Sequence, residues 1–165
     1  MTVRPILRWP DPVLSRVCAP VGDRDVTGLV GDLFETMYAA PGRGLAAPQV
    51  GEALCVFVMD ATWKDGDMSP IACIDPEILW MSDDTVPMDE GCLSIPGVAA
   101  TIQRPARIRL RWRGLDGAVH EADLDGAEAR VALHEYDHLD GKVTFDRLEP
   151  EARAALEADY AAVPS

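Results

Sequence analysis

The sequence contains no apolar stretch long enough to cross a membrane. Its longest uninterrupted apolar run spans residues 53–59, whereas a transmembrane helix needs about 20 residues. The amino terminus also lacks the long apolar core, followed by small residues, that marks a secretory signal. We therefore expect a cytoplasmic protein without a membrane segment.

Positive charge is scarce as well. The chain has 15 Lys and Arg residues against 28 Asp and Glu residues, a formal net charge of −13. A negative excess of this size repels the phosphates of nucleic acids and the headgroups of anionic lipids. The charge balance therefore predicts a soluble protein that does not bind DNA directly.

Cysteine is rare, and without a secretory signal its thiols are expected to stay reduced. Cys18, Cys55 and Cys73 have apolar neighbours, which is typical of small core residues. Cys92 differs, because Gly91 precedes it and the dipeptide at 96–97 ends its segment. The residues alone leave two roles open for Cys92, a metal ligand or a structural thiol.

The hydrophobic pattern predicts an α+β fold, with small and mainly antiparallel sheets around a central helix, as a single domain over residues 1–165. Helices are predicted over residues 11–18, 26–38, 127–139 and about 151–160. Strands are predicted over residues 54–59, 71–74, 77–80, 101–114 and 119–124. Residues 82–90 are acidic and interrupted by proline, and no strand is predicted there.

The strongest chemical signal is His134-Glu135-Tyr136-Asp137-His138 in the helix predicted for residues 127–139. Histidines at positions i and i+4 lie about 40° apart around a helix, one turn above the other. Their imidazoles can therefore share one metal ion. Glu135 lies about 100° around the helix from His134, within reach of a water beside that metal. This arrangement is typical of hydrolases that use the glutamate as general base.

A catalytic metal site needs a third protein ligand and one open position. The only other histidine, His120, lies among acidic residues in a predicted strand and is interpreted as a surface residue. The acidic residues that follow His138 at a zincin-like distance are Asp140, Asp146 and Glu149, and among the thiols Cys92 stands out.

Three segments together resemble the motifs of the peptide deformylase family. They are residues 42–49 (GRGLAAPQ), 90–94 (EGCLS) and 134–138 (HEYDH), and their order and spacing also match. The opening segment 6–12 and the Arg104-Pro105 pair add to the resemblance, which extends from about residue 4 to residue 148.

The resemblance implies a reaction and a set of roles. The reaction is the release of formate from the N-formylmethionine of nascent polypeptides at the ribosome, and we expect a monomer. Ferrous iron is the implied metal, with zinc, nickel or cobalt as substitutes. The implied metal ligands are Cys92, His134 and His138. Glu135 is the implied general acid and base, and Gln49 with the N–H of Leu93 forms the oxyanion site. Gly44 is expected to bind the peptide backbone, with Arg43 and Gly42 beside it.

The sequence departs from the family pattern at three places. Leu133 replaces the Gln that usually precedes the first metal histidine, and Arg43 stands where an aliphatic residue is commoner. Some relatives end in a basic helix, whereas residues 149–165 contain four acidic residues and one arginine, so this tail is not expected to dock on ribosomal RNA.

Three other functions remain open on the sequence. The chain could act on a different N-acyl substrate, or bind metal as an inactive regulatory protein, although metal binding alone needs no glutamate base. A zincin-type endopeptidase is disfavoured, because those enzymes do not use a cysteine as third ligand.

Overall fold

The computed structural model describes residues 1–164, and within them the strands form two antiparallel sheets. The strands are β1 (Gly44–Ala46), β2 (Val56–Met59), β3 (Ile71–Met81), β4 (Thr85–Cys92), β5 (Ile95–Pro105), β6 (Arg107–Arg113) and β7 (Val119–Asp125). The larger sheet has the strand order β1-β2-β3-β6-β7, and β4 pairs with β5 in the smaller sheet. The predicted α+β class and the antiparallel pairing are confirmed.

Three α-helices lie in the described chain: α1 (Thr27–Ala39), α2 (Gly126–Leu139) and α3 (Pro150–Ala161). They match three of the predicted helices to within one residue at each end. The apolar stripe of α1 is buried in one core cluster with residues of β1 and β2. None of the helices in residues 1–164 is both long enough and apolar enough to span a membrane.

Helix α2 packs its apolar face against the larger sheet. Its apolar face, including Ala129, Ala132 and Leu133, is buried with residues of β2 and β6. Leu133 therefore fills core space at the position where Gln is usual. The chain leaves α2 at Gly141, which has φ +75° and whose Cβ would lie 2.8 Å from the backbone of Ser15. Only glycine fits this turn.

Two predictions of secondary structure are wrong in the first half of the chain. The predicted helix over residues 11–18 is only a 3-10 turn, Pro12–Ser15, capped by the Asp11 carboxylate. The two strands predicted over 71–74 and 77–80 are one strand, β3, which continues through an irregularity in its pairing with β6. Asp75 lies at this irregularity with φ +47°.

The segment 82–90 also differs from the prediction, because most of it belongs to β4. The strand predicted over 101–114 is two strands, β5 and β6, which belong to different sheets and are separated by Ala106. Most of β4 is exposed, so it lacks the alternation of apolar and polar residues that identifies a strand in a sequence.

The arginine-rich strand β6 has one buried and one exposed face, as its alternation predicts. Ile108 and Leu110 are buried. Its exposed arginines pair with carboxylates of neighbouring residues, namely Asp84, Glu121, Asp123, Glu77 and Asp75. This basic run is therefore neutralised within the protein. His120 on β7 is exposed, as predicted, and stacks on Trp112.

Candidate metal centre

Cys92, His134 and His138 come together at one point between α2 and the end of β4. One potential ligand atom from each residue lies within 4.8 Å of the other two. The Cys92 Sγ is 3.5 Å from the His138 Nε2. All four cysteines are free thiols, so Cys92 is not removed from this cluster by a disulfide. No other group of three such residues in the described chain meets the same geometric condition.

The two histidines are held differently. The Nδ1 of His134 lies 2.9 Å from the Glu90 Oε1, so the imidazole donates from Nδ1 and leaves Nε2 as the ligand atom. The Nδ1 of His138 is buried and has no hydrogen-bond partner among the described residues. Glu90 therefore fixes the ring orientation of only one of the two histidines.

Glu90 belongs to a buried ionic network beneath the cluster. The guanidinium of Arg104 donates to both Glu90 carboxylate oxygens, at 2.6 and 2.9 Å, and to Asp137 at 2.9 Å. Arg130 adds a bond to Glu90, and Arg147 adds two to Asp137. Charge removed from water needs such partners, and this network locks α2 to β4 and β5.

The low pKa of the Cys92 thiol favours metal binding, because the thiolate is the form that binds a metal. Burial alone raises the pKa of the thiol, but the charge of His138 and the hydrogen bond from His134 outweigh burial, and the pKa falls to about 5. Burial acts to lower the pKa of His134, but the carboxylate of Glu135 and the thiolate raise it well above its usual value. A divalent cation held by these side chains would take the place of the protons, and a thiolate with two imidazoles is a donor set that suits such an ion.

Glu135 is buried beside the cluster, with its Oε2 3.9 Å from the His134 Nε2. Its Oε1 has no hydrogen-bond partner among the described residues. Such an atom is costly in a folded protein unless a water or ligand meets it. Burial raises the pKa of Glu135, and the charges of His134 and His138 offset only part of this rise. The group is therefore a stronger base than an exposed glutamate.

Gln49 and Leu93 lie on the other side of the cluster. The Oε1 of Gln49 accepts a bond from the Ala46 N–H, which fixes the amide so that Nε2 donates to Ser94 at 3.0 Å. The same Nε2 is 3.9 Å from the Cys92 Sγ. The Leu93 N–H follows directly after Cys92 and makes no hydrogen bond to another described residue. Both are donors close to the cluster.

A groove of about 430 Å³ runs along the cluster and is lined by residues of β1, β4 and α2. Gly44 is so close to Glu135 that a Cβ would lie 2.7 Å from the carboxylate Oε2. Gly42 is similarly close to Leu93, at 2.7 Å from its Cδ1. Arg43 lies between the two glycines and is exposed at the rim. All the residues predicted for the site therefore lie in or beside this groove.

Sequence reasoning did not assign roles to Glu90, Arg104 or Asp137, although all three lie in or next to the quoted motifs. Their side chains meet across separations of 14 and 33 residues. The sequence carries no clear signal for this network, because Glu90 and Asp137 stand among other polar and charged residues. Pairing them requires knowing that β5 and α2 pack against β4.

The α+β fold and the thiol-imidazole donor set beside a buried glutamate are those of a metal-dependent hydrolase. The chain belongs to the polypeptide deformylase family, whose model matches residues 3–154. A peptide deformylase of Novosphingobium aromaticivorans is 44% identical over 169 residues, with 90% of each chain covered. Family membership confirms the resemblance and the predicted hydrolytic removal of formyl groups.

Solved structures agree with this assignment. The Thermotoga maritima peptide deformylase matches with a TM-score of 0.84 and 39% identity, covering 91% of this chain and 100% of that one. The Ehrlichia chaffeensis peptide deformylase, solved with actinonin, matches with a TM-score of 0.90 and 35% identity over the full length of both chains. The similarity extends over both sheets and all three helices.

Proposed function

We propose that the protein removes the formyl group from N-formylmethionine of nascent polypeptides, with the residues of the groove in the roles given below. The observation that carries this proposal is the meeting of Cys92, His134 and His138 beside the buried carboxylate of Glu135. We further propose that residues 1–165 act as one catalytic unit, since the groove is built from both sheets and α2.

The proposed metal ligands are Cys92, His134 and His138, and the proposed ion is Fe²⁺, with Zn²⁺, Ni²⁺ or Co²⁺ as substitutes. The low pKa of the Cys92 thiol and the free Nε2 of His134 suit a soft divalent ion. When bound, such an ion polarises the formyl carbonyl and lowers the pKa of the attacking water.

Glu135 is the proposed proton carrier. Its unpartnered Oε1 accepts the proton of the attacking water, and the same carboxyl later gives a proton to the departing amine. When water attacks the formyl carbon, negative charge develops on the formyl oxygen, and this oxyanion needs donors placed in advance. We assign these donors to the Gln49 Nε2, which is fixed by its bonds to Ala46 and Ser94, and to the Leu93 N–H.

The proposed peptide-binding edge is β1. Arg43 accepts a hydrogen bond from the Asp60 N–H, and Gly44 is in register with Met59. Because alternate residues of an antiparallel strand bond to opposite sides, Gly44 presents its N–H and C=O to the free edge. An extended peptide can pair there, and the absence of a side chain at Gly42 and Gly44 lets it come close.

The direct test is formate release from a formyl-Met-Ala-Ser peptide, with protein kept reduced and free of oxygen. We expect multiple turnover, loss of activity after metal chelation, and recovery when Fe²⁺ or Ni²⁺ is added back. An N-acetyl-Met peptide serves as the second substrate. Turnover of the acetyl peptide alone would favour another N-acyl substrate, and no turnover with full metal content would favour a regulatory protein.

Replacing Gly44 with Ala tests the close approach of β1 to Glu135. The added Cβ would lie 2.7 Å from the Glu135 Oε2 and 2.8 Å from the Val131 Cγ1, so the carboxylate must shift. Misplacing a catalytic group by a fraction of an ångström to 1 Å is costly, and we expect kcat to fall by about tenfold to a hundredfold.

The matched control for Gly44→Ala is Gly28→Ala in α1, where an added Cβ meets nothing within 4 Å. This variant should fold and keep its normal kcat, because Gly28 lies in the first turn of α1 and outside the groove. A Gly44→Ala enzyme with normal kcat would contradict the assignment of Glu135 and the close packing around it.

The proposed partner is the formylated nascent chain at the ribosome, met by a monomer in the cytoplasm. Family membership supports this setting. We also propose that α3 does not dock on ribosomal RNA, since its acidic residues outnumber its single Arg153. Arg153 is already paired with Asp146 and Glu157, so α3 offers no free cation to a phosphate.

A further inference from the structure

Two cations at the rim of the groove have no acidic partner within residues 1–164. Arg43 and Lys64 both line the groove and are exposed, and neither forms an ion pair with a described carboxylate. Most other arginines do form such pairs, including all four of β6. In a chain with 28 acidic residues and 15 basic ones, two free cations beside the reaction site call for an explanation.

Contacts with neighbouring backbone place both residues beside the groove. The Arg43 backbone is fixed by its bond to Asp60. The Nζ of Lys64 donates to the Pro41 carbonyl at 3.2 Å and lies 5.9 Å from the centre of the Trp63 ring. Trp63 in turn donates to the Gly42 carbonyl at 2.8 Å. Lys64 is therefore anchored beside the segment that precedes β1.

The order of residues along β1 sets the direction of the substrate. Ala46 is bonded to Gln49, which lies next to Cys92. The chain from Gly44 back to Pro41 therefore leads away from the reacting atoms. A peptide pairing antiparallel to β1, with its formyl group at the metal centre, passes Gly44 first. Its next residues pass Arg43 and Lys64.

The acidic residues in the described lining of the groove do not pair with Arg43 or Lys64. Glu90 is buried and neutralised by Arg104 and Arg130, and Glu135 is assigned to the reaction. Asp89 is the remaining exposed acidic residue of the lining. It lies on β4, the opposite wall, and accepts a hydrogen bond from Thr101.

We propose that Arg43 and Lys64 select peptides with an acidic side chain at the second or third residue, immediately after the formylmethionine. This inference rests on the proposed function, because it concerns the substrate of the same groove. The two residues act as specificity determinants through charge and take no part in proton transfer. A glutamate or aspartate on the passing peptide would supply the carboxylate that they lack.

The experiment compares kcat/KM for formyl-Met-Glu-Glu-Ala, formyl-Met-Gln-Gln-Ala and formyl-Met-Lys-Lys-Ala on the metal-loaded enzyme. An exposed charge pair changes an equilibrium by up to about fivefold. Because the Glu peptide can form two such pairs, we expect it to exceed the Gln peptide by about three- to tenfold, and we expect the Lys peptide to be the poorest. The preference should shrink in 1 M salt, where the screening length falls to about 3 Å.

The variants are Arg43→Gln, Lys64→Gln and the double variant, with Arg24→Gln as control for the loss of one charge. Arg24 is exposed and lies outside the groove, so its variant should keep both the rate and the preference. Each groove variant should lose part of the Glu-to-Gln ratio, and the double variant should bring it close to one. Equal rates in the wild type, or an unchanged ratio in the double variant, would overturn the proposal.

Binding of the same peptides by calorimetry separates this proposal from the proposed function. If no peptide released formate, the function would fail, and the affinity ratio of the Glu and Gln peptides would still decide the charge preference. Binding without any preference would reject the role of Arg43 and Lys64. Formate release without preference would reject it and leave the deformylase activity intact.

Discussion

Replacing Glu135 with Gln is expected to reduce kcat by about 10²- to 10⁴-fold, the usual contribution of a general acid and base. The amide has nearly the same shape as the carboxylate but cannot accept a proton from water. Cys92, His134 and His138 are unchanged, so the metal content should stay near one ion per chain. The measurement is kcat for formate release beside metal analysis of the same preparation.

The matched control is Glu35→Gln on α1, which removes the same charge from an exposed side chain remote from the groove. It should keep normal kcat. A Glu135→Gln enzyme that is fully loaded with metal and retains most of its turnover would exclude Glu135 as the proton carrier. A variant without metal would instead show that the carboxylate helps to hold the ion.

Replacing Arg104 with Met is expected to lower the free energy of unfolding by about 3–5 kcal/mol. The Arg104 side chain is 4% exposed and pairs with Glu90 and Asp137, which are almost as deeply buried. Its removal leaves two buried carboxylates with fewer partners. For a chain of this size we expect Tm to fall by about 10 °C, measured by circular dichroism or calorimetry.

Arg109→Met is the control, because Arg109 is also an ion-paired arginine but its side chain is 46% exposed. Exposed pairs contribute up to about 1 kcal/mol, so this change should shift Tm by about 3 °C at most. Equal shifts for the two variants would show that the buried network does not stabilise the fold more than a surface pair.

The pH dependence of stability is a second measurement that compares the wild type with Arg104→Met. Burial acts to raise the pKa of Asp137, but the bonds from Arg147 and the charge of Arg104 outweigh it and lower the pKa. A lowered pKa contributes stability above the value of the unfolded chain, about 4, and this contribution is lost as the pH falls further. The difference in stability between the wild type and Arg104→Met should therefore narrow below about pH 4.

The two histidines of the candidate metal centre could be predicted from the sequence because their spacing is local. The spacing of His134 and His138 on a helix is enough to bring two imidazoles together. Helix α1 could also be predicted from the sequence, because seven apolar residues follow the helical period there. Cys92 needed the resemblance to a family, because a thiol 42 residues before His134 carries no distance information by itself.

Strand β4 and the ionic network could not be predicted in the same way. Only Glu90 of β4 is buried, so the strand shows no hydrophobic alternation, and Pro87 argued against it. The partners of Glu90 come from β5 and α2, at separations of 14 to 44 residues. Such pairings depend on how the sheets and the helix assemble, which hydrophobic periodicity does not encode.

The candidate metal centre is divided between helix α2 and the smaller sheet. His134, Glu135 and His138 all lie on α2. Cys92 is the last residue of β4, at the turn into β5. An ion bound by all three ligands therefore joins the helix to the smaller sheet across a single sulfur. We therefore expect metal exchange to need only a local opening of the turn after Cys92, because the two histidines keep their spacing on the helix. Exchange rates should accordingly follow the amide hydrogen exchange of residues 91–95 rather than the rate of global unfolding.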